Sequence, residues 1–128
     1  MKLKGQSAVI SGASEGLGKV IAEFYLKEGA NVMICARSQE KLFKTCDELR
    51  ALNLGQVEAQ PCDVANFVDV ENVINVAYKK FGRLDILVAN AGIHGPKGAI
   101  DEIDAEDWSY AIDVNLKGVF AQCRAVLP

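Results

Sequence analysis

Gly12, Gly16 and Gly18 stand in the run Ser11-Gly12-Ala13-Ser14-Glu15-Gly16-Leu17-Gly18. A short apolar stretch, Ala8-Val9-Ile10, precedes it, and an amphipathic one carrying Leu17, Val20, Ile21 and Phe24 follows. That order predicts a strand-to-helix turn. Glycine admits backbone angles that other residues avoid, and it lets a ligand come close to the main chain. The free N–H groups of a first helical turn, with the helix dipole behind them, attract an anion. A pyrophosphate fits that description. Glycines also serve plain chain reversal, but a strand before and a helix after favour the anion reading.

Other residues are weighed the same way. Asn115 shares a helical face with Ile112, Leu116 and Val119; it is either a satisfied core asparagine or a functional one, and in both cases it needs hydrogen-bond partners. His94, the single histidine, falls in a loop with no carboxylate or cysteine paired to it, which favours a solvated side chain over a substrate contact. Asp101, Glu102, Asp104, Glu106 and Asp107 read as a solvated, dipole-favoured helix start rather than a metal site. Trp108, at helical spacing, reads as core or interface. Cys35, Cys46, Cys62 and Cys123 show no C-x-x-C spacing, and three lie in apolar surroundings, so they read as reduced, core-filling thiols.

The elements that must position these residues alternate. Ser7 to Ser11 is a strand and Leu17 to Glu28 a helix closed by Gly29. Asn31 to Ala36 is an apolar strand without alternation, as in a sheet covered on both faces. Ser38 is the expected N-cap of a second helix with Leu42, Cys46 and Leu49 on its buried face, and Gly55 ends that unit. Val57 to Cys62 is a weaker third strand. Asn66 starts a third helix, with Asp69 in a capping-box-like position and Val70, Val73, Ile74 and Ala77 as its buried stripe. Leu84 to Ala89 is the most hydrophobic strand, followed by the loop Gly92 to Gly98. Asp104 caps a last helix with Trp108, Ile112, Leu116, Val119 and Phe120 on one face. This pattern implies right-handed crossovers and an α/β, doubly wound parallel sheet of order 3-2-1-4. Ligands in such sheets bind at the carboxyl ends of the strands, near the switch point between strands 1 and 4. Both Gly12–Gly18 and Asn90-Ala91-Gly92 fall there.

The 128 residues amount to one domain, residues 1–128. Half are hydrophobic and 24% charged, with 14 basic against 17 acidic residues for a net charge of −3. No basic stretch exists to neutralise nucleic-acid phosphates. No apolar run approaches the ~20 residues that cross a bilayer, and the N-terminus lacks a signal-peptide core. The expectation is a soluble cytoplasmic protein without nucleic-acid or membrane partners.

With these motifs in order, the chain resembles the short-chain dehydrogenase/reductase family. The family's Thr-Gly-x-x-x-Gly-x-Gly reads Ser11-Gly12-Ala13-Ser14-Glu15-Gly16-Leu17-Gly18 here, with serine for threonine. That spacing is not the one used by the extended branch, which holds the sugar-nucleotide epimerases. The family's Asp after strand 3 matches Asp63, its Asn-Asn-Ala-Gly matches Ala89-Asn90-Ala91-Gly92 with the first Asn replaced, and its helical Asn matches Asn115. The resemblance implies a Rossmann-type fold and NAD(P)-linked oxidation of an alcohol or reduction of a carbonyl. It implies that Gly12, Gly16 and Gly18 cradle the pyrophosphate, with Leu17 giving backbone contacts and Ser14 bonding a ribose or phosphate. Asp63 would take the adenine amino group with Val64 alongside. Asn90, Ala91 and Gly92 would run along the cofactor, and Val114 would pack near it. The resemblance also implies a homo-oligomer, a dimer or tetramer, for a full-length form.

The family's catalytic set is Asn, Ser, Tyr and Lys, and of these only Asn115 is matched. Tyr78 and Tyr110 lie in predicted helices without the Tyr-x-x-x-Lys motif. The resemblance places the missing stretches beyond position 128, so the chain reads as the N-terminal, cofactor-binding half of an enzyme and is expected to be inactive alone. The alternative is a non-catalytic nucleotide-binding module or a truncated gene product; reading the coding DNA past the Pro128 codon separates the two. An NAD-binding unit carries an acid at the end of strand 2 for the ribose 2′-OH, but Ala36 stands there and Arg37 follows. An arginine at that place accommodates a 2′-phosphate, so NADP is expected over NAD. The substrate is not legible.

Overall fold

β1 (Ser7–Ser11) is buried along its whole length because it lies between two parallel partners. The computed structural model describes residues 1–128. The chain runs β1, α1 (Gly16–Lys27), β2 (Asn31–Ala36), α2 (Gln39–Arg50), β3 (Val57–Pro61), α3 (Phe67–Phe81), β4 (Ile86–Val88), α4 (Ala105–Ile112), a π-helical segment Asp113–Lys117 and α5 (Gly118–Val126). The four strands form one parallel sheet in the order β3-β2-β1-β4. Ser7 pairs with Asn31 and Ser11 with Cys35, while Ala8 to Ile10 pair with Ile86 to Val88. Both the expected class and the expected order are found.

Helices cover both faces, which is why Val32, Met33, Ile34 and Cys35 are all buried without alternation. On one face α1 and α2 pack Ala22, Leu26, Leu42, Cys46 and Leu49 against Ile10, Val32 and Ile34. On the other, α3 and α5 pack Val70, Val73, Ala77 and Ala121 against Val9, Met33 and Cys35. Burying a side chain of the size of Leu, Ile or Met contributes about 1.5–3 kcal/mol, so these clusters hold the sheet together.

Gly29, Asn66 and Asp104 act as expected, whereas other boundaries and caps differ. Helix α1 ends with the N–H groups of Gly29 and Ala30 donating to Leu26 and Tyr25, and Gly29 takes φ +93°. Asn66 caps α3 through Val68 and Asp69, and Asp104 caps α4 through Glu106 and Asp107. Ser38 sits at the start of α2 but its side chain makes no capping bond. Asp69 does not close a capping box; its carboxylate reaches back to the Asp63 N–H at 3.2 Å. Gly55 lies beyond the helix end and is required because a Cβ there would stand 2.8 Å from the Ala30 carbonyl oxygen. Strand β4 is three residues long rather than six: Leu84 and Asp85 precede it, and after Val88 the chain turns toward Ser11.

The largest correction concerns the expected apolar faces. Trp108, Ile112, Leu116 and Phe120 point outward, and Trp108 is not core. The buried face consists of Ala111, Val114, Gly118, Ala121 and Gln122. A Cβ on Gly118 would stand 2.8 Å from Val64 Cγ2, so this helix lies too close for large side chains. Helix α1 repeats the pattern: Gly18, Ala22 and Leu26 face the sheet, and Leu17, Val20 and Phe24 are exposed.

Asp85 ties β4 to β1 at the opposite end of the sheet. Its N–H donates to the Ser7 carbonyl and its Oδ2 accepts from the Ser7 N–H, both at 2.9 Å, while Arg83 donates to both carboxylate oxygens. The Arg83 guanidinium, and after it the Ser7 N–H, hold the carboxyl below its ordinary value. A carboxyl depressed in the folded state adds stability above its unfolded pKa of about 3.9 and loses it as pH falls through the folded value. Thermal unfolding followed by circular dichroism should therefore show a steeper loss of Tm below about pH 4 in the native chain than in Asp85→Asn. Equal slopes would remove Asp85 from the acid response.

Candidate functional site

A cleft of about 510 Å³ opens over the carboxyl end of the sheet. It lies where β1 has β2 on one side and β4 on the other, the place where open parallel sheets take ligands. Two loops build it, and Ser11 joins them: its Oγ accepts the N–H groups of Asn90 and Ala91, both at 3.1 Å. Asn90 Nδ2 donates to the Gly12 carbonyl at 3.2 Å. From below, buried Thr45 on α2 donates to the Ser14 carbonyl.

The three glycines of the motif do different work. At Gly12, φ is +66° and a Cβ would lie 2.9 Å from the Ala91 Cα. At Gly18 a Cβ would overlap the Gly12 carbonyl and lie 2.8 Å from Asn90 Nδ2. Both are required by packing within the chain. Gly16, at φ +63°, has nothing within 4 Å of where its Cβ would be. It faces open space at the start of α1, whose first turn has neither a side-chain cap nor an acidic residue. Those N–H groups remain available to an anion.

Gly12, Ser14, Arg37, Val64 and Val114 line the cleft, as do Asn90, Ala91 and Gly92. Gly16 and Leu17 lie outside its wall at the exposed helix start, and Gly18 is buried beneath the turn. Asp63 is also outside the wall; its Oδ1 accepts from the Ala65 N–H at 3.0 Å and its Oδ2 from the Tyr110 hydroxyl at 3.0 Å. Asn115 is exposed rather than buried, yet both ends of its amide are satisfied: Oδ1 accepts from the Ile93 N–H at 2.8 Å and Nδ2 donates to the Ile93 carbonyl at 2.7 Å. It sits in the π-helical segment, a departure from regular helix often found at functional sites. His94 is exposed in the adjoining loop.

Sequence reasoning missed Ser11, Thr45, Lys41 and Tyr110. Ser11 carried a signal, since a hydroxyl opens the motif. Lys41 lines the cleft from the first turn of α2, beside Ser38 and Arg37. Cys35 and Cys62 also line the cleft, and the hydrogen bond to Cys62, followed by burial, pushes the Cys35 thiol well up, so it stays protonated.

A parallel sheet of this order, with an uncapped helix start and two glycine loops at its switch point, defines a dinucleotide-binding class of fold. The short chain dehydrogenase family model matches residues 6–128. A relative in Mycobacterium tuberculosis, (5R,7aS)-5-hydroxy-7a-methyl-1-oxo-2,3,5,6,7,7a-hexahydro-1H-indene-carboxyl-CoA reductase, is 39% identical over 98% of this chain and 48% of its own. A short-chain dehydrogenase/reductase from Burkholderia phymatum in complex with NAD superposes with a TM-score of 0.92 at 32% identity, covering 98% of this chain and 44% of that one. An actinorhodin polyketide ketoreductase with NADPH superposes at 0.90 and 36% identity, covering 95% and 46%. The chain belongs to the short-chain dehydrogenase family, whose members are NAD(P)-dependent oxidoreductases. It spans about half the length of the curated relatives it matches. No helix is long and apolar enough to cross a membrane.

Proposed function

We propose that this chain forms the cofactor-binding part of an NADP-preferring oxidoreductase that moves hydride between a nicotinamide and a secondary alcohol or carbonyl. One observation carries the choice of NADP: Arg37 faces the cleft directly after β2, where Ala36 leaves no carboxylate to bind a ribose 2′-OH; Lys41 on α2 also lines the cleft, paired with Glu15 at 3.8 Å. The open space at Gly16 and the uncapped start of α1 suit a pyrophosphate. Gly12 and Gly18 shape the turn, with Leu17 and Ser14 beside it. Asp63 and Val64 hold the adenine, Asn90, Ala91 and Gly92 follow the cofactor, and Val114 packs beneath it. When bound, the nicotinamide supplies the hydride chemistry. Of the family's catalytic set this stretch carries Asn115, whose amide fixes Ile93 and so places the loop at the cleft wall. The small-molecule substrate and a homo-oligomeric assembly come with the family reading. Four free thiols, three of them buried, suit a reducing cytoplasm.

Titration of the protein with NADPH and NADH tests the reading. A charge-assisted contact to the 2′-phosphate contributes ~1.5–3 kcal/mol, so NADPH should bind roughly ten- to a hundredfold more tightly. Arg37→Ala combined with Ala36→Asp should invert the order. Equal affinities in the unaltered protein would defeat the NADP assignment.

A further inference from the structure

Tyr110 links three segments that share no other contact of this kind. Its hydroxyl accepts from Arg37 Nη1 at 2.8 Å and donates to Asp63 Oδ2 at 3.0 Å. The guanidinium carbon of Arg37 also stands 5.5 Å from the centre of the Tyr110 ring. The loop after β2, the loop after β3 and helix α4 are thus joined through one phenol. The direction of the relay is fixed, because a guanidinium only donates and a carboxylate only accepts. Burial, and after it the bond to Asp63, raises the Tyr110 pKa, so the hydroxyl keeps its proton at neutral pH.

We infer that Tyr110 is a positioning residue that holds the Arg37 guanidinium for a 2′-phosphate and so sharpens discrimination between phosphorylated and unphosphorylated adenosine ligands. The inference rests on the cofactor reading above. A free arginine side chain is flexible, and ordering it on binding weakens affinity; an arginine already held by the Tyr110 hydroxyl avoids that loss. The phenol engages one of the five guanidinium N–H donors and leaves the others for phosphate oxygens. Without the hydroxyl, Arg37 loses its tether, and Asp63 becomes a competing partner of opposite charge. Asp63 itself keeps a second anchor in the Ala65 N–H, so its contribution to an unphosphorylated adenosine changes little.

Calorimetric titration with adenosine 2′,5′-bisphosphate and with 5′-AMP tests this without nicotinamide or turnover. Tyr110→Phe keeps the ring and the net charge and removes only the hydroxyl. Its affinity for the bisphosphate should fall about three- to tenfold, while that for 5′-AMP stays within about twofold. In an Arg37→Ala background the same substitution should change bisphosphate affinity by less than about twofold, since the two residues act as a unit. If the native protein prefers the bisphosphate and Tyr110→Phe leaves that preference intact, the inference is overturned and the NADP reading stands. An equal loss for both ligands overturns it too, by showing a merely structural role. A native protein with no preference overturns both.

Discussion

Gly16→Val should abolish nucleotide binding, with a loss of a hundredfold or more in a fluorescence titration, while the chain remains folded. The reason is the contrast among glycines. A side chain at Gly16 meets no atom of the protein within 4 Å, so under the proposed reading its volume competes with a pyrophosphate at the start of α1 and not with the fold. The substitution also carries a backbone penalty, because φ is +63° and a residue with a Cβ held there costs about 1–3 kcal/mol. Gly82 separates the two effects. It has φ +76° and equally open surroundings, but it sits at the C-terminal end of α3 rather than at the helix start of α1 that borders the cleft. Gly82→Val should lower Tm by a similar amount and leave binding unchanged. Gly18→Ala is the opposite case: its Cβ would run into the Gly12 carbonyl and Asn90, and overpacking against backbone costs about 1–3 kcal/mol or more. That variant should lose stability and binding together. Full binding by Gly16→Val would mean that the turn is only structural.

What was legible in the sequence is what depends on chain order and local chemistry. Alternation of apolar runs with amphipathic ones gave the parallel sheet and its order. Asn66 and Asp104 announced helix starts because a short polar side chain caps the turn it opens. The cleft followed from the topology, since β1 and β4 end side by side. Helix facing failed wherever two backbones come very close. Size was the misleading cue: Leu116 and Phe120 are the larger apolar residues, but Gly118 and Ala121 are the ones that fit against Val64 and α3. The outward stripe therefore looked like a core stripe. The link from Arg37 through Tyr110 to Asp63 was equally hidden, because it spans residues 37, 63 and 110 and has no periodicity.

The 128-residue polypeptide made alone should self-associate and show no oxidoreductase turnover. Strand β4 ends the sheet, with β1 on one side and no strand on the other. Its residues, Ile86-Leu87-Val88, carry no charge or proline of the kind that protects open edges. The last helical stretch exposes Trp108 on α4 at 53%, Leu116 in the π-helical segment at 68% and Phe120 on α5 at 57%. Large apolar side chains exposed together on one helical stretch mark a contact site or an aggregation hazard. Size-exclusion chromatography should show a species larger than the 13.8 kDa monomer. Leu116→Glu with Phe120→Glu should reduce the association if the helix carries it, and leave it unchanged if the β4 edge does. Turnover requires a group that can exchange a proton near neutral pH. Tyr110 does not qualify: its hydroxyl is committed to Arg37 and Asp63, and burial moves its pKa up, away from the working range. An NADPH oxidation assay with a panel of carbonyl compounds should therefore give no rate above background. A stable monomer with measurable turnover would defeat both expectations and would assign Tyr110 or another residue of this chain the proton transfer denied to it here.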